Sequence, residues 1–138
     1  MTNKEKIIDI IESVSAQLLK TKMNLLNDLK GVDLSSIHFQ YIHVLDKLGE
    51  TNFTELSREL HISKPAVTAF INKLLAQNII EKSQSDYDKR SYNIKLTERG
   101  KEIAVIYNNS LMSFAEKLQS NMTEKEFKQL VGLMEKVL

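Results

Sequence analysis

The hydrophobic period of the chain changes at Asn78. Before it, Val67, Phe70, Ile71, Leu74 and Leu75 recur at helical spacing. After it, Ile80, Lys82 and Gln84 alternate with Ile79, Glu81 and Ser83, and Ile94 and Leu96 alternate with Asn93 and Lys95. A chain that leaves a short helix straight into two alternating runs must pack that helix beside a β-hairpin. Asn78 suits the switch, because asparagine accepts the left-handed conformation that ends a helix. The hairpin has a long polar tip, Ser85-Asp86-Tyr87-Asp88-Lys89-Arg90.

The remaining segments read as helices. Ile7, Ile10, Ile11, Val14, Leu18, Leu25, Leu26 and Leu29 predict a first helix over 4–30, closed by Gly31. Such a helix is long for a chain of 138 residues. It is either one core helix interrupted near Thr21, or a helix whose apolar stripe packs on a partner chain. A second helix follows Leu34-Ser35-Ser36 and stops at Gly49. A third opens at Asn52, with Glu55 placed for a capping box, and a fourth opens after the turn His61-Ile62 at Ser63-Lys64-Pro65. Pro65 is tolerated there because first-turn amides have no helical partner. Thr97 and Glu98 start a fifth helix that runs to about Ser120, and Thr123 with Glu126 caps a last one. The expected class is mainly α with a small β-hairpin, an α+β chain.

Composition narrows the chemistry. With no cysteine there is no disulfide, thiolate nucleophile, thiolate zinc site or thiol redox switch. No run reaches the ~18 apolar residues of a membrane span, and the N-terminus has no separate apolar segment ahead of a cleavage site. The expected location is the cytoplasm. No glycine-rich phosphate loop, paired carboxylates or nucleophile with a neighbouring base stands out, so no enzyme and no cofactor is expected. His38 and His43 lie five apart, roughly 500° around a helix. They share no face well, and a metal would need carboxylates from elsewhere. The net charge is only +1, but Lys64, Lys73, Lys82, Lys89, Arg90, Lys95 and Arg99 outnumber Glu81, Asp86, Asp88 and Glu98 in the stretch 61–99.

Two short helices joined by a tight turn, the second followed at once by a hairpin, make a winged helix-turn-helix. The fourth helix would anchor itself through Val67, Ile71 and Leu74, leaving Ser63, Lys64, Pro65, Thr68, Ala69, Asn72 and Lys73 on an open side. That side is small and polar, as approach to base edges in a major groove requires. Asp88, Lys89 and Arg90 at the hairpin tip suit an adjacent minor groove, with Asp88 holding Arg90 by a charge-assisted bond.

These residues resemble the MarR family of bacterial winged-helix transcriptional regulators. The segment from Asn52 to Leu60 fits its cap, acidic-leucine triplet and closing leucine. Ile62-Ser63-Lys64-Pro65-Ala66-Val67-Thr68 fits the start of its recognition helix, and Leu74 and Ile79-Ile80 fit positions further on. Asp88-Lys89-Arg90 fits its Asp-x-Arg wing motif and Leu96-Thr97-Glu98-Arg99-Gly100 its Leu-Thr-x-x-Gly element. Ala69 departs from a position where many members carry a long basic side chain, and Lys89, Asn78 and Leu75 depart from other common residues.

The resemblance implies a winged-helix DNA-binding region over 35–99 and dimerisation helices over 4–30 and 100–138. It implies a homodimer joined through residues such as Ile7, Ile11, Val14, Leu18, Phe127, Leu130 and Met134. It also implies a pseudo-palindromic double-stranded DNA partner, and repression relieved by a small organic ligand in a cleft for which His38, Phe39, Tyr41 and Tyr107 are candidates. The alternative is a winged-helix protein that acts mainly through protein contacts, which the weak net charge and Ala69 favour.

Overall fold

The computed structural model describes every residue except Asp28, Lys30 and Lys89, together with the side chain of Leu25. In chain order the elements are α1 (Asn3–Leu26), α2 (Ser36–Leu48), β1 (Thr51–Asn52), α3 (Phe53–Leu60), α4 (Lys64–Ala76), β2 (Ile80–Gln84), β3 (Tyr92–Leu96), α5 (Glu98–Ser120) and α6 (Glu124–Glu135). They form two compact units: Met1–Thr21 with Asn109–Leu138, and Lys22–Asn108. The second unit contains the whole of 35–99. No helix among the described residues is long and apolar enough to cross a membrane.

In the second unit the core is Phe39, Ile42 and Leu45 from α2, Leu56 from α3, and Val67, Phe70, Ile71 and Leu74 from α4. Ile79, Ile80, Ile94 and Leu96 join from the hairpin, and Ile103, Ala104 and Tyr107 from α5. All are buried, as the helical and alternating periods require. The sheet has three strands in the order β1-β3-β2, all antiparallel. Two of these are the expected hairpin. The third, β1, pairs Thr51 with Ile94 and Asn52 with Asn93. Two residues are too few to show an alternation, so sequence periodicity missed it.

The helix starts follow local chemistry. Asn52 Oδ1 accepts from the Glu55 amide at 2.8 Å, and Ser63 Oγ accepts from the Ala66 amide at 3.3 Å. The reciprocal half of the expected box at α3 is absent. The Glu55 carboxylate instead accepts the Thr51 hydroxyl at 2.8 Å, because β1 places that side chain within reach. At α6 the box is complete, with Thr123 and Glu126 bonded both ways. Those bonds hold the Glu126 carboxyl below its usual range, the backbone amide contributing most.

Helix α1 begins as expected and continues through Thr21, whose hydroxyl donates to the Gln17 carbonyl at 2.9 Å. A side chain bonded back into its own helix does not interrupt it. Its end comes at Leu26 rather than near 30. Asp28 and Lys30, in the expected last turn, lie outside the described residues.

The turn between α3 and α4 is fixed by Ser57 and His61. Ser57 accepts the Ile62 amide on its carbonyl at 3.2 Å and donates its hydroxyl to the Ile62 carbonyl at 2.6 Å. His61 takes φ 54°, and Asn78 takes φ 58° after α4. Both are left-handed, where asparagine and histidine are more readily found than bulky or branched residues.

The start of α5 is tied to the start of the hairpin. Thr97 donates its amide to the Ile79 carbonyl at 3.0 Å, its hydroxyl lies 2.7 Å from the Asn78 carbonyl and 3.0 Å from that of Ile79, and the same hydroxyl accepts from the Gly100 amide at 3.1 Å. Gly100 lies against that carbonyl, and a Cβ there would collide with the Ile79 oxygen and lie 3.0 Å from Leu96 Cδ2. Gly100→Ala is therefore expected to destabilise the fold by about 1–3 kcal/mol, the usual cost of forcing atoms into a packed site. The measurement is the urea midpoint at fixed chain concentration. A midpoint equal to that of the parent chain would show that the junction opens without cost.

Candidate nucleic-acid interface

Helix α4 has a buried back and an open front. Val67, Ile71 and Leu74 are fully buried. Ser63, Lys64, Pro65, Thr68, Ala69 and Asn72 are exposed. The expected anchor and the expected open side are thus where the helical period puts them. Thr68 donates its hydroxyl to the Lys64 carbonyl at 3.1 Å, which uses its one donor. Asn72 keeps an amide and a carbonyl at the centre of the front.

Lys73 stands at the flank of this face. Its amine is 3.8 Å from the Asp33 carboxylate, in the loop after α1. Gln77, one turn on, accepts the Asp33 amide at 2.7 Å and donates to the Asp33 carbonyl at 2.9 Å. These contacts latch the C-terminal end of α4 to that loop and draw Lys73 toward it. The ion pair itself contributes little, since Asp33 is exposed.

The hairpin extends past the core. Ile80 is the one buried residue of β2, and the rest of that strand is exposed. Glu81 and Lys95 pair across the strands at 3.3 Å, and the Lys82 amine lies 4.5 Å from the Tyr92 ring centre. At the tip, Asp88 Oδ1 accepts from the backbone amide of Arg90 at 2.9 Å, and the Asp88 carbonyl accepts from the Ser91 amide at 2.9 Å. Asp88 was expected to hold the Arg90 side chain. The bond seen goes to the Arg90 amide, so Asp88 shapes the turn, and Arg90 is exposed. Lys89, the third expected wing residue, lies outside the described residues.

The four candidate ligand residues divide between two aromatic clusters. His38 stacks on Phe70 at 5.6 Å between ring centres, and Tyr41 meets Phe70 edge-on at 5.1 Å. Phe39 and Tyr107 are buried instead around Lys22, whose amine lies 5.6 Å and 5.3 Å from their ring centres. His43 packs against Tyr107 at 5.2 Å, with Nδ1 buried and unbonded among the described residues.

His38 is half-buried, and its Nδ1 accepts from the Ser35 amide at 3.2 Å. Lys22 was missed altogether. Its signal was position, since it falls one turn from both Leu18 and Leu26 on the apolar stripe. Burial pushes its amine below the usual lysine range, and the two ring faces supply part of the lost hydration. Among the described residues, no cluster of three or more histidines and acids is placed to hold a metal.

The expected interface residues of the first unit present an apolar surface. Ile7, Ile11 and Met134 are more than half exposed. Val14, Leu18, Phe127 and Leu130 are half-buried. Every buried hydrophobic residue among those described belongs to the second unit.

Comparison with known proteins shows what the fold is similar to. The model of the MarR family matches residues 34–92. The uncharacterized HTH-type transcriptional regulator YpoP of Bacillus subtilis is 24% identical over 127 residues, covering 92% of this chain and 90% of the relative. The structure of Streptococcus pneumoniae FabT in complex with DNA is similar at a TM-score of 0.74 and 24% identity, over 98% of this chain and 97% of that one. Wild-type MarR of E. coli is similar at 0.68 and 23% identity, over 94% of each chain.

His38 makes stability depend on pH. Burial lowers its pKa from the ordinary 6.5, Lys73 lowers it further, and Asp33 opposes them. The folded state therefore disfavours the imidazolium, which also cannot accept from Ser35. The contribution is complete above the ordinary histidine range and declines as pH falls below 6.5. His38→Gln, which keeps an acceptor for the cap, is expected to flatten the melting temperature between neutral pH and pH ~5. Parallel curves for the two proteins would assign the acid sensitivity elsewhere.

Proposed function

The chain has the winged helix-turn-helix fold of the MarR family, and from that premise we propose a homodimeric, sequence-specific DNA-binding regulator of transcription rather than an enzyme. The observation that carries the reading is α4. Its back is locked in the core, its front is small and polar, and a hairpin with an exposed Arg90 stands beside it. Ser63, Lys64, Pro65, Thr68, Ala69, Asn72 and Lys73 form the recognition surface, Asn72 facing base edges and Lys73 serving from the flank. Asp88, Lys89 and Arg90 form the wing that follows the adjoining minor groove. FabT and a mutant E. coli MarR are bound to DNA in their structures, which supports the same use of the fold here.

The dimer reading rests on the apolar surface of the first unit. Ile7, Ile11 and Met134 remain exposed in the single chain, which is costly for groups of this size. A second copy covers them, with Val14, Leu18, Phe127 and Leu130 at the edges. Two copies then set their α4 helices about one DNA turn apart, ~34 Å, on a pseudo-palindromic site. Regulation is by repression, and a small organic ligand releases the DNA. Such a ligand acts by preferring one spacing of the two helices over the other. The aromatic side chains of His38, Phe39, Tyr41 and Tyr107 are its candidate contacts.

The test is a fluorescence-anisotropy titration of the full chain into a duplex from its own upstream region, against a scrambled duplex of equal length, over a series of salt concentrations. The expected result is preferential binding that saturates at one dimer per site and weakens linearly in log salt. Asn72→Ala is expected to cost about 1–3 kcal/mol on the specific duplex and little on the scrambled one. Equal or absent binding to both duplexes would overturn the reading and favour action through protein contacts.

A further inference from the structure

A groove of about 530 Å³ separates α3 from the wing. Asn52, Thr54 and Arg58 line one wall, and Arg90, Ser91 and Asn93 the other. Both walls spring from one corner, where β1 pairs Asn52 with Asn93 just before α3 begins. Thr54 and Arg58 are one helical turn apart, and both are exposed. No carboxylate lines the groove. Among the described residues, neither the Arg58 nor the Arg90 guanidinium has an ion-pair or hydrogen-bond partner. Two cations thus face one channel, with hydroxyl and amide groups and the rings of Phe53 and Tyr92 around them.

We propose that this groove seats one strand of the DNA sugar-phosphate backbone, with Arg58 as the positioning residue that grips a phosphate. The proposal rests on the DNA-binding reading and adds a contact that neither α4 nor the wing tip supplies. If α4 occupies a major groove and the wing the neighbouring minor groove, the strand dividing those grooves passes between the two elements. The first helix of a helix-turn-helix crosses that backbone, and here the crossing helix carries Arg58. A guanidinium matches phosphate with two parallel N–H bonds, and the Thr54 and Ser91 hydroxyls add neutral donors. Such a contact carries no sequence information. It fixes how deeply α4 enters and where the wing falls.

The experiment repeats the salt series with variants of the full chain. Arg58→Ala is expected to lower the slope of log K against log salt by about one. Affinity at physiological salt falls roughly tenfold, and the ratio of specific to scrambled binding stays the same. Arg58→Lys keeps the slope and recovers part of the affinity. Lys125→Ala, at an exposed cation on α6 in the first unit, leaves the slope at the parent value and controls for net charge. A parent slope and affinity in Arg58→Ala, with an unchanged circular dichroism spectrum, would overturn the proposal. So would a loss of discrimination, which would make Arg58 a base reader. If the parent chain itself binds neither duplex, the DNA reading fails first, a result distinct from any behaviour of the variants.

Discussion

A single carbonyl oxygen, that of Ile79, holds the winged unit together. It accepts the Thr97 amide, shares the Thr97 hydroxyl with the Asn78 carbonyl and lies against the bare Cα of Gly100. Four elements meet at that point: α4 ends before it, β2 starts from it, and β3 and α5 join beside it. The angle between α4 and the hairpin is therefore set by backbone contact. Side chains fill in around that contact, with Ile80, Ile94 and Leu96 from the strands and Leu74 and Ile103 from the helices. A leucine, a threonine and a glycine at fixed spacing are what this junction demands: one residue to bury, one to cap and bond twice, one to leave room.

A second constraint acts at the far side of α4. Ser57 closes the turn ahead of the helix with two bonds to Ile62, and Gln77 closes its other end with two bonds to Asp33. Between these clamps the back of the helix is buried without a gap, and its front carries no bulky apolar group. Rigidity behind and smallness in front belong to one design. A reading surface must keep its own geometry while a second molecule comes within hydrogen-bond distance.

Much of this was legible in the residues. The switch of period at Asn78 gave the hairpin, because a core-facing helix and a half-buried strand repeat differently. Asn52, Ser63 and Thr123 marked helix starts because their side chains bond amides within one turn, a purely local effect. What escaped was non-local. Strand β1 exists only because β3 lies beside it. Glu55 bonds Thr51 rather than completing its own box, for the same reason. Lys22 is buried by rings that approach from α2 and α5, and His38 by Phe70 from α4. Period and capping rules see one element at a time. The candidate ligand residues show the limit most clearly, since neighbours in sequence, His38 and Phe39, belong to different clusters.

The absence of buried apolar residues from the described part of the first unit has a consequence at the scale of the cell. If a second copy supplies the missing burial, folding of that unit and pairing of the chains are one equilibrium. The number of active assemblies then rises as the square of the number of chains while both are scarce. A modest drop in synthesis would then become a larger drop in paired chains, so the exposed stripe would amplify gene dosage.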